Sequence, residues 1–265
     1  MDYGEFRTRV ACVTGGASGI GRALVRALSR AGCSVAIADV DEAAARALEA
    51  ELHDAGARAL AIRCDVSRFD EVAAVEKEIR ARLGPVSLLF NNAGIGGGIG
   101  PPSVEVPEQQ WESVLGVNLH GVLHGIRAFV PSMIEAGAGG HVVNTASMAA
   151  LLPAPGTAPY TLTKFAVAGL SEVLRGELSK HRIGVSVLCP GPFRTAIWGD
   201  DEASDRGADP AILGPRVLAG IEANEPYIFT HPELASLVSS RFESILRQLQ
   251  ESGRAMQRAT KELSQ

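Results

Sequence analysis

The stretch from Arg9 to Gly32 constrains this chain most. It opens with a short apolar, strand-like run, RVACVT, and passes directly into GGASGIGRALVRALSRAG, where glycines meet a helical pattern. Gly15, Gly19 and Gly21 give the spacing G-x-x-x-G-x-G, so a strand enters a helix through a turn with little side-chain bulk. Such a turn brings the backbone of Gly15, Ser18, Gly19, Ile20 and Gly21 within reach of a pyrophosphate, at the positive end of the helix dipole. A second strand-like run, CSVAIAD, ends at Asp39. A carboxylate there can accept hydrogen bonds from ribose hydroxyls and would repel a 2′-phosphate, which favours NAD over NADP. The competing reading of Asp39 is a cap for the next helix, DEAAARALEAELHDAG.

The same alternation continues along the chain. Strands are predicted near 8–13, 34–38, 58–63, 86–90, 140–146, 184–189 and 226–229, with helices between them, the longest near 107–136 and 157–181. Strands alternating with helices imply βαβ units and a doubly wound parallel sheet of about seven strands. Two further strand ends fall beside the glycine turn: Asp65-Val66, and Asn91-Asn92-Ala93-Gly94. Both could lie against an adenine and its ribose, or could be ordinary Asx turns. Asn118 stands inside a long helical pattern, where asparagine is mildly unfavourable and hints at a purpose.

Tyr160 and Lys164 lie four residues apart in PYTLTKFAVAGL and share one helix face. An ammonium near a phenol favours phenolate, so Lys164 is expected to lower the Tyr160 pKa from about 10 toward working pH. A phenol so tuned can take a proton from an alcohol or give one to a carbonyl. Ser147 ends the strand-like run HVVNTAS and could hold a substrate oxygen there, or act as a turn residue or N-cap.

Taken together, TGGASGIG, Asp39, Asp65-Val66, NNAG, Asn118, Ser147, YTLTK and PGPFRT resemble the short-chain dehydrogenase/reductase family over about residues 8–195. The glycine spacing is that of its short, single-domain members. The resemblance implies a Rossmann-type domain and a catalytic tetrad of Asn118, Ser147, Tyr160 and Lys164. It implies that Lys164 also holds the nicotinamide ribose, that Asn118 anchors a water, and that Pro190, Gly191 and Thr195 border the nicotinamide. The cofactor-binding set is then Gly15, Ser18, Gly19, Ile20, Gly21, Asp39, Asp65, Val66, Asn91, Ala93, Gly94, Tyr160, Lys164, Pro190, Gly191 and Thr195.

Composition bounds the partners. A net charge of −5 gives no reason to expect nucleic acid or an anionic membrane. No run is apolar enough to span a bilayer, and the charged start MDYGEFRTRV argues against a signal peptide. Cys12, Cys33, Cys64 and Cys189 are scattered in strand-like runs, as in a reducing cytoplasm. His120 and His124 have metal-ligand spacing but no third ligand nearby, so no metal is expected.

The substrate region is read more coarsely. Met148 and Leu152 on one side, and Phe193 and Trp198 in a lid near 193–215, suggest a largely apolar, bulky or cyclic alcohol or ketone. After residue 231, Leu234, Leu237, Val238, Phe242, Ile245, Leu246 and Leu249 form a helical stripe to about 250, followed by a polar tail, 251–265. That stripe should pack on the body or on a second subunit, and a homodimer or homotetramer is expected. The leading expectation is thus a single-domain, NAD-dependent, cytoplasmic dehydrogenase of a secondary alcohol. The alternatives are a 3-oxoacyl-carrier-protein-type reductase and a non-catalytic cofactor-sensing protein.

Overall fold

In the computed structural model, residues 6–195, 197 and 207–263 are described. They fall into two compact units, Met1–Thr230 and His231–Gln265.

The first unit is built on a seven-stranded parallel sheet. Its strands are β1 (Val10–Thr14), β2 (Ser34–Asp39), β3 (Ala59–Arg63), β4 (Leu88–Asn91), β5 (Gly140–Thr145), β6 (Ile183–Cys189) and β7 (Tyr227–Phe229). The order is β3-β2-β1-β4-β5-β6-β7, and every pairing is parallel. The order reverses between β1 and β4, so a crevice opens beyond the carboxyl ends of those two strands. Both faces of a parallel sheet are covered, so its strands read as continuous apolar runs.

Alternate residues feed two cores. Ala11, Val13, Val35, Ile37, Phe90 and Leu188 pack with helices α1 (Gly19–Arg30), α2 (Glu42–Asp54) and α7 (Leu213–Glu222). Cys12, Ala36, Leu89 and Val142 pack on the other face with α3 (Phe69–Arg82), α5 (Gly121–Ala136) and α6 (Ala158–Leu178). All four cysteines are buried free thiols, consistent with small core residues.

One predicted helix is interrupted. Between α4 (Glu108–Leu115) and α5, residues Gly116–His120 form a π-turn, closed by Gly121 N donating to the Gly116 carbonyl. The turn sits close to β3's end because Gly121 has no side chain. A Cβ there would lie 2.8 Å from Val66 Cγ2.

The second unit corrects the expected tail. After a short turn at Pro232–Leu234, helix α8 runs from Ala235 to Leu263. The helix does not end near 250, because ESGRAMQRATKEL contains no proline and several good helix formers. Its hydroxyls also fold back, Ser252 Oγ donating to the Gln248 carbonyl and Thr260 Oγ1 to that of Met256. The stripe itself is open: Leu237, Phe242, Ile245, Leu246 and Leu249 are all exposed in the single chain. No described helix is long and apolar enough to cross a membrane.

Candidate active site

Backbone geometry makes the glycine turn. Gly15 and Gly19 have φ of +62° and +48°, a region that costs other residues a steric penalty. Gly21 is required for a different reason: a Cβ there would fall 1.8 Å from the Gly15 carbonyl oxygen. Ser18 is the N-cap residue of α1 but forms no side-chain cap, and the first turn carries no acid. The N-terminal amides of α1 therefore face the crevice without a side chain of the cap spent on them.

Asp39 is not the cap of α2. That role belongs to Asp41, whose carboxylate accepts from Ala44 N at 3.0 Å. The nearly buried Asp39 carboxylate instead accepts from Ala17 N at 2.9 Å and from Asp41 N at 3.0 Å. It locks the glycine turn to the end of β2. Asp65 forms an Asx turn, its Oδ1 accepting from Ser67 N and Ser67 Oγ. The Ser67 hydroxyl bond holds the Asp65 carboxyl below its ordinary pKa.

Thr14, which the sequence did not single out, and Asn92 of the NNAG turn hold the crevice together. Thr14 Oγ1 donates to the Phe90 carbonyl and accepts from Asn92 N at 2.9 Å and Ala93 N at 3.1 Å. Asn92 Nδ2 donates to the Thr14 and Gly15 carbonyls, and its Oδ1 accepts from Thr145 Oγ1. The ends of β1, β4 and β5 are thereby cross-tied. A threonine ending a strand before a glycine turn was the available signal.

Asn91 is turned away from the crevice, which corrects the expectation that its side chain meets the cofactor. It is buried, donates to Asn144 Oδ1 at 2.8 Å, and presses its Oδ1 against Gly125, where a Cβ would lie 1.9 Å away. Asn144 continues the chain to Ser171 Oγ and thence to the Val167 carbonyl. Phe193 is corrected likewise. It is buried in the core with Ala17 and Leu213 and presents no open wall. Trp198 lies outside the described residues, as does much of the expected lid. In the rest of that segment Phe193 bridges to Ala208, and α7 begins at Leu213.

The tetrad residues converge at the ends of β4, β5 and α6. Helix α6 buries Tyr160, Lys164, Val167, Ser171 and Leu174 along one stripe, which aims the first two at the sheet. Ser147 stands just past β5 in extended conformation and hydrogen-bonds the Tyr160 hydroxyl. Lys164 Nζ donates to the Thr145 carbonyl at 2.9 Å, its single hydrogen bond among the described residues, and lies 5.3 Å from the Tyr160 ring centroid. Asn118, fully buried in the π-turn, clamps the backbone of Ile95: Oδ1 accepts from its N–H and Nδ2 donates to its carbonyl. Gly94 separates the two; a Cβ there would be 3.4 Å from Asn118 Oδ1 and 3.5 Å from Lys164 Nζ.

The electrostatics differ from expectation in one respect. Burial pushes the Tyr160 phenol up, the Ser147 hydrogen bond opposes that shift, and the buried Cys189 thiol adds to it. Burial also draws Lys164 down to about 8. Desolvation of the phenolate outweighs the attraction of an ammonium held over the ring face and itself short of solvent. In this state the phenol keeps its proton at neutral pH.

The remaining expected contacts surround this centre. Thr195 Cγ2 would lie 3.0 Å from a Cβ at Gly19, so the residue expected near the carboxamide faces the glycine turn. The Pro190 carbonyl accepts from Met148 N, and Gly191 N donates to Thr230 Oγ1. Met148 is buried and Leu152 half-buried beside Ser147. The glycine-rich loop is tied down, Gly96 N donating to the Ile197 carbonyl and Gly100 N to that of Gly156. His124 Nδ1 meets the Val66 carbonyl, and no metal-binding cluster occurs among the described residues.

Comparison with known proteins gives a consistent pattern. The family model for short chain dehydrogenase matches residues 9–206. The chain is 34% identical over 250 residues to 1-deoxy-11-beta-hydroxypentalenate dehydrogenase of Streptomyces arenae, covering 91% of this chain and 89% of that one. It is 36% identical over 207 residues to 3beta-hydroxysteroid dehydrogenase 2 of Eggerthella lenta, covering 78% and 79%. It also matches the oxidoreductase EphD of Mycobacterium tuberculosis at 38% over 194 residues, of whose length this chain spans 32%. Among solved structures, a short chain dehydrogenase/reductase of Burkholderia phymatum in complex with NAD superposes with a TM-score of 0.87. It is 34% identical, with 92% of this chain and 96% of that one covered.

Proposed function

The chain belongs to the short-chain dehydrogenase family, and on that footing we propose that it interconverts a secondary alcohol and a ketone with NAD(H), Tyr160 moving the proton. The observation that carries this reading is the trio of Ser147 with the buried Tyr160 and Lys164, a phenol hydrogen-bonded to a serine hydroxyl with a desolvated ammonium over its ring. A non-catalytic sensing role does not call for that trio.

The pyrophosphate would rest on Gly15, Ser18, Gly19, Ile20 and Gly21, a cradle that side chains would fill. Asp39 would meet the adenosine ribose, with Asp65, Val66, Ala93 and Gly94 bordering the adenine side. Lys164, Thr195, Pro190 and Gly191 would border the nicotinamide. The chemistry supplied by the bound nicotinamide is acceptance or return of a hydride. The protein supplies the proton path. Tyr160, protonated at neutral pH, gives its proton to a ketone oxygen; as phenolate it takes the proton of an alcohol. Ser147 Oγ steadies the same oxygen as charge develops on it. Asn118 holds the Ile95 backbone in place beside Lys164.

A further step concerns the substrate. Two relatives are named for the alcohols of a hydroxypentalenate and a hydroxysteroid. Met148 and Leu152 beside Ser147, with the exposed Ile95 and Ile99 on the facing loop, supply apolar surface for a molecule of that kind. NAD is favoured over NADP because the Asp39 carboxylate opposes a 2′-phosphate.

The test is a panel of steroid, terpenoid and simple secondary alcohols and their ketones with NAD(H) and NADP(H), followed by nicotinamide absorbance. Turnover of a cyclic alcohol with NAD, reduced about 10²–10⁴-fold in Tyr160→Phe while cofactor still binds, supports the reading. Full turnover in Tyr160→Phe, or tighter binding of NADP(H), refutes it.

A further inference from the structure

Helix α8 carries a pattern that the oxidoreductase chemistry does not use. Phe242, Leu249, Met256 and Leu263 fall at intervals of seven, and Val238 and Ile245 occupy the position four residues ahead of the next in that series, with Ser252 as its single polar member. These are the a and d positions of a heptad repeat, sustained along a 29-residue helix. The side chains are open to solvent in the single chain: Phe242 is 46% exposed, Leu249 68% and Met256 73%.

The period identifies what covers them. A stripe repeating every 3.5 residues keeps facing one partner only if that partner is another helix running alongside it. At 1.5 Å per residue α8 is about 43 Å long. The next longest helix, α6, has 21 residues, and its apolar stripe is already buried on the sheet. Charge agrees. Leu246, Gln248, Gly253 and Ala255 flank the middle of the seam without charge, so two like helices can meet there without repulsion. Glu243, Arg247, Glu251 and Arg254 stand off the seam with mixed sign, unlike the basic polar face of a helix that lies on an anionic membrane. We propose that α8 is a dimerisation element, pairing through Val238, Phe242, Ile245, Leu249, Met256 and Leu263 with α8 of a second copy of this chain in a two-stranded coiled coil.

The experiment uses the full-length protein. Light scattering and sedimentation velocity are run on wild type, on the seam variant Ile245→Glu/Leu249→Glu, and on the off-seam control Arg247→Glu. The expected result is an oligomeric wild type, a control of equal mass, and a seam variant of half that mass. Far-UV circular dichroism of the rest of the fold and alcohol oxidation should survive in the seam variant, because no catalytic residue lies on α8. A monomeric wild type, or a seam variant with the wild-type mass, overturns the proposal. So does flotation of the wild type with phosphatidylglycerol–phosphatidylcholine vesicles that the seam variant loses without any change of mass.

Discussion

Replacing Thr14 by valine should destabilise the protein although it swaps a hydroxyl for a methyl in a buried place. Thr14 is 4% exposed, and its hydroxyl is the common acceptor for Asn92 N and Ala93 N. Valine keeps the shape and removes the acceptor. Each of these part-buried N–H groups left without a partner costs about 1–3 kcal/mol, and the longer of the two bonds is worth less, so the loss is about 2–4 kcal/mol. The added methyl offsets roughly 0.8 kcal/mol. The net, about 1–3 kcal/mol, should lower Tm by about 3–10 °C for a unit of this size. Thr14→Ser keeps the acceptor and loses one methyl, about 0.8 kcal/mol. The order wild type, serine, valine thus puts valine last, where burial of apolar surface alone would put it first. Urea denaturation of the three full-length proteins checks it, with NAD titration as a second readout because the same bonds fix the crevice. A valine variant as stable as wild type, or more stable than the serine variant, would refute the argument.

Gly21→Ala should weaken NAD binding about 100-fold or more by calorimetry, since its Cβ would sit 1.8 Å from the Gly15 carbonyl and must displace the turn. Gly125→Ala should cost stability but spare the catalytic residues, because its Cβ meets Asn91 Oδ1 in the core; a urea midpoint equal to wild type would count against that packing. His141 is buried neutral with its pKa drawn down by burial to about 4, so the unfolded chain binds more protons between there and about 6.5. Stability should therefore fall as pH drops from 7 to 5, by about 2 kcal/mol from this group, and His141→Gln should flatten that slope. Because the Tyr160 phenol is raised, ketone reduction should hold from neutral pH downward while alcohol oxidation should climb as pH rises; parallel pH profiles for the two directions would contradict the assignment.

The elements legible in the sequence were those written in local pattern. RVACVT before a glycine turn, and an apolar stripe through Tyr160 and Lys164, located β1 and α6 within three residues at every end, since period and flanking residues settle both. Asn91 misled because NNAG reads as one turn, whereas pleating sends adjacent side chains to opposite sides, one into the core and one across the crevice. Phe193 misled in the same way, an aromatic in a loop whose burial is decided by α1 and α7. Thr14 was passed over because its three hydrogen bonds are made to residues more than seventy positions away. The direction of the Tyr160 shift could not be had from spacing, since desolvation depends on the whole packed surround. The far end of α8 is hard to see in the sequence because polar residues dominate 251–263, while its heptads continue to Leu263.

The π-turn at Gly116–His120 makes the site and the fold answer differently to the loss of a single codon. An i→i+5 turn holds one residue more than the α-helix it interrupts. Deleting any one residue there would let the segments on either side join as a regular helix, with its hydrogen bonds and most of its buried face intact. The side chains of the turn itself would shift by one position around the helix. The amide that grips the Ile95 backbone would swing off it, and the neighbourhood of Lys164 would lose its brace. A screen for soluble, helical protein would pass such a deletion, and a screen for turnover would not. The extra residue thus serves the geometry of the site and not the folding of the helix.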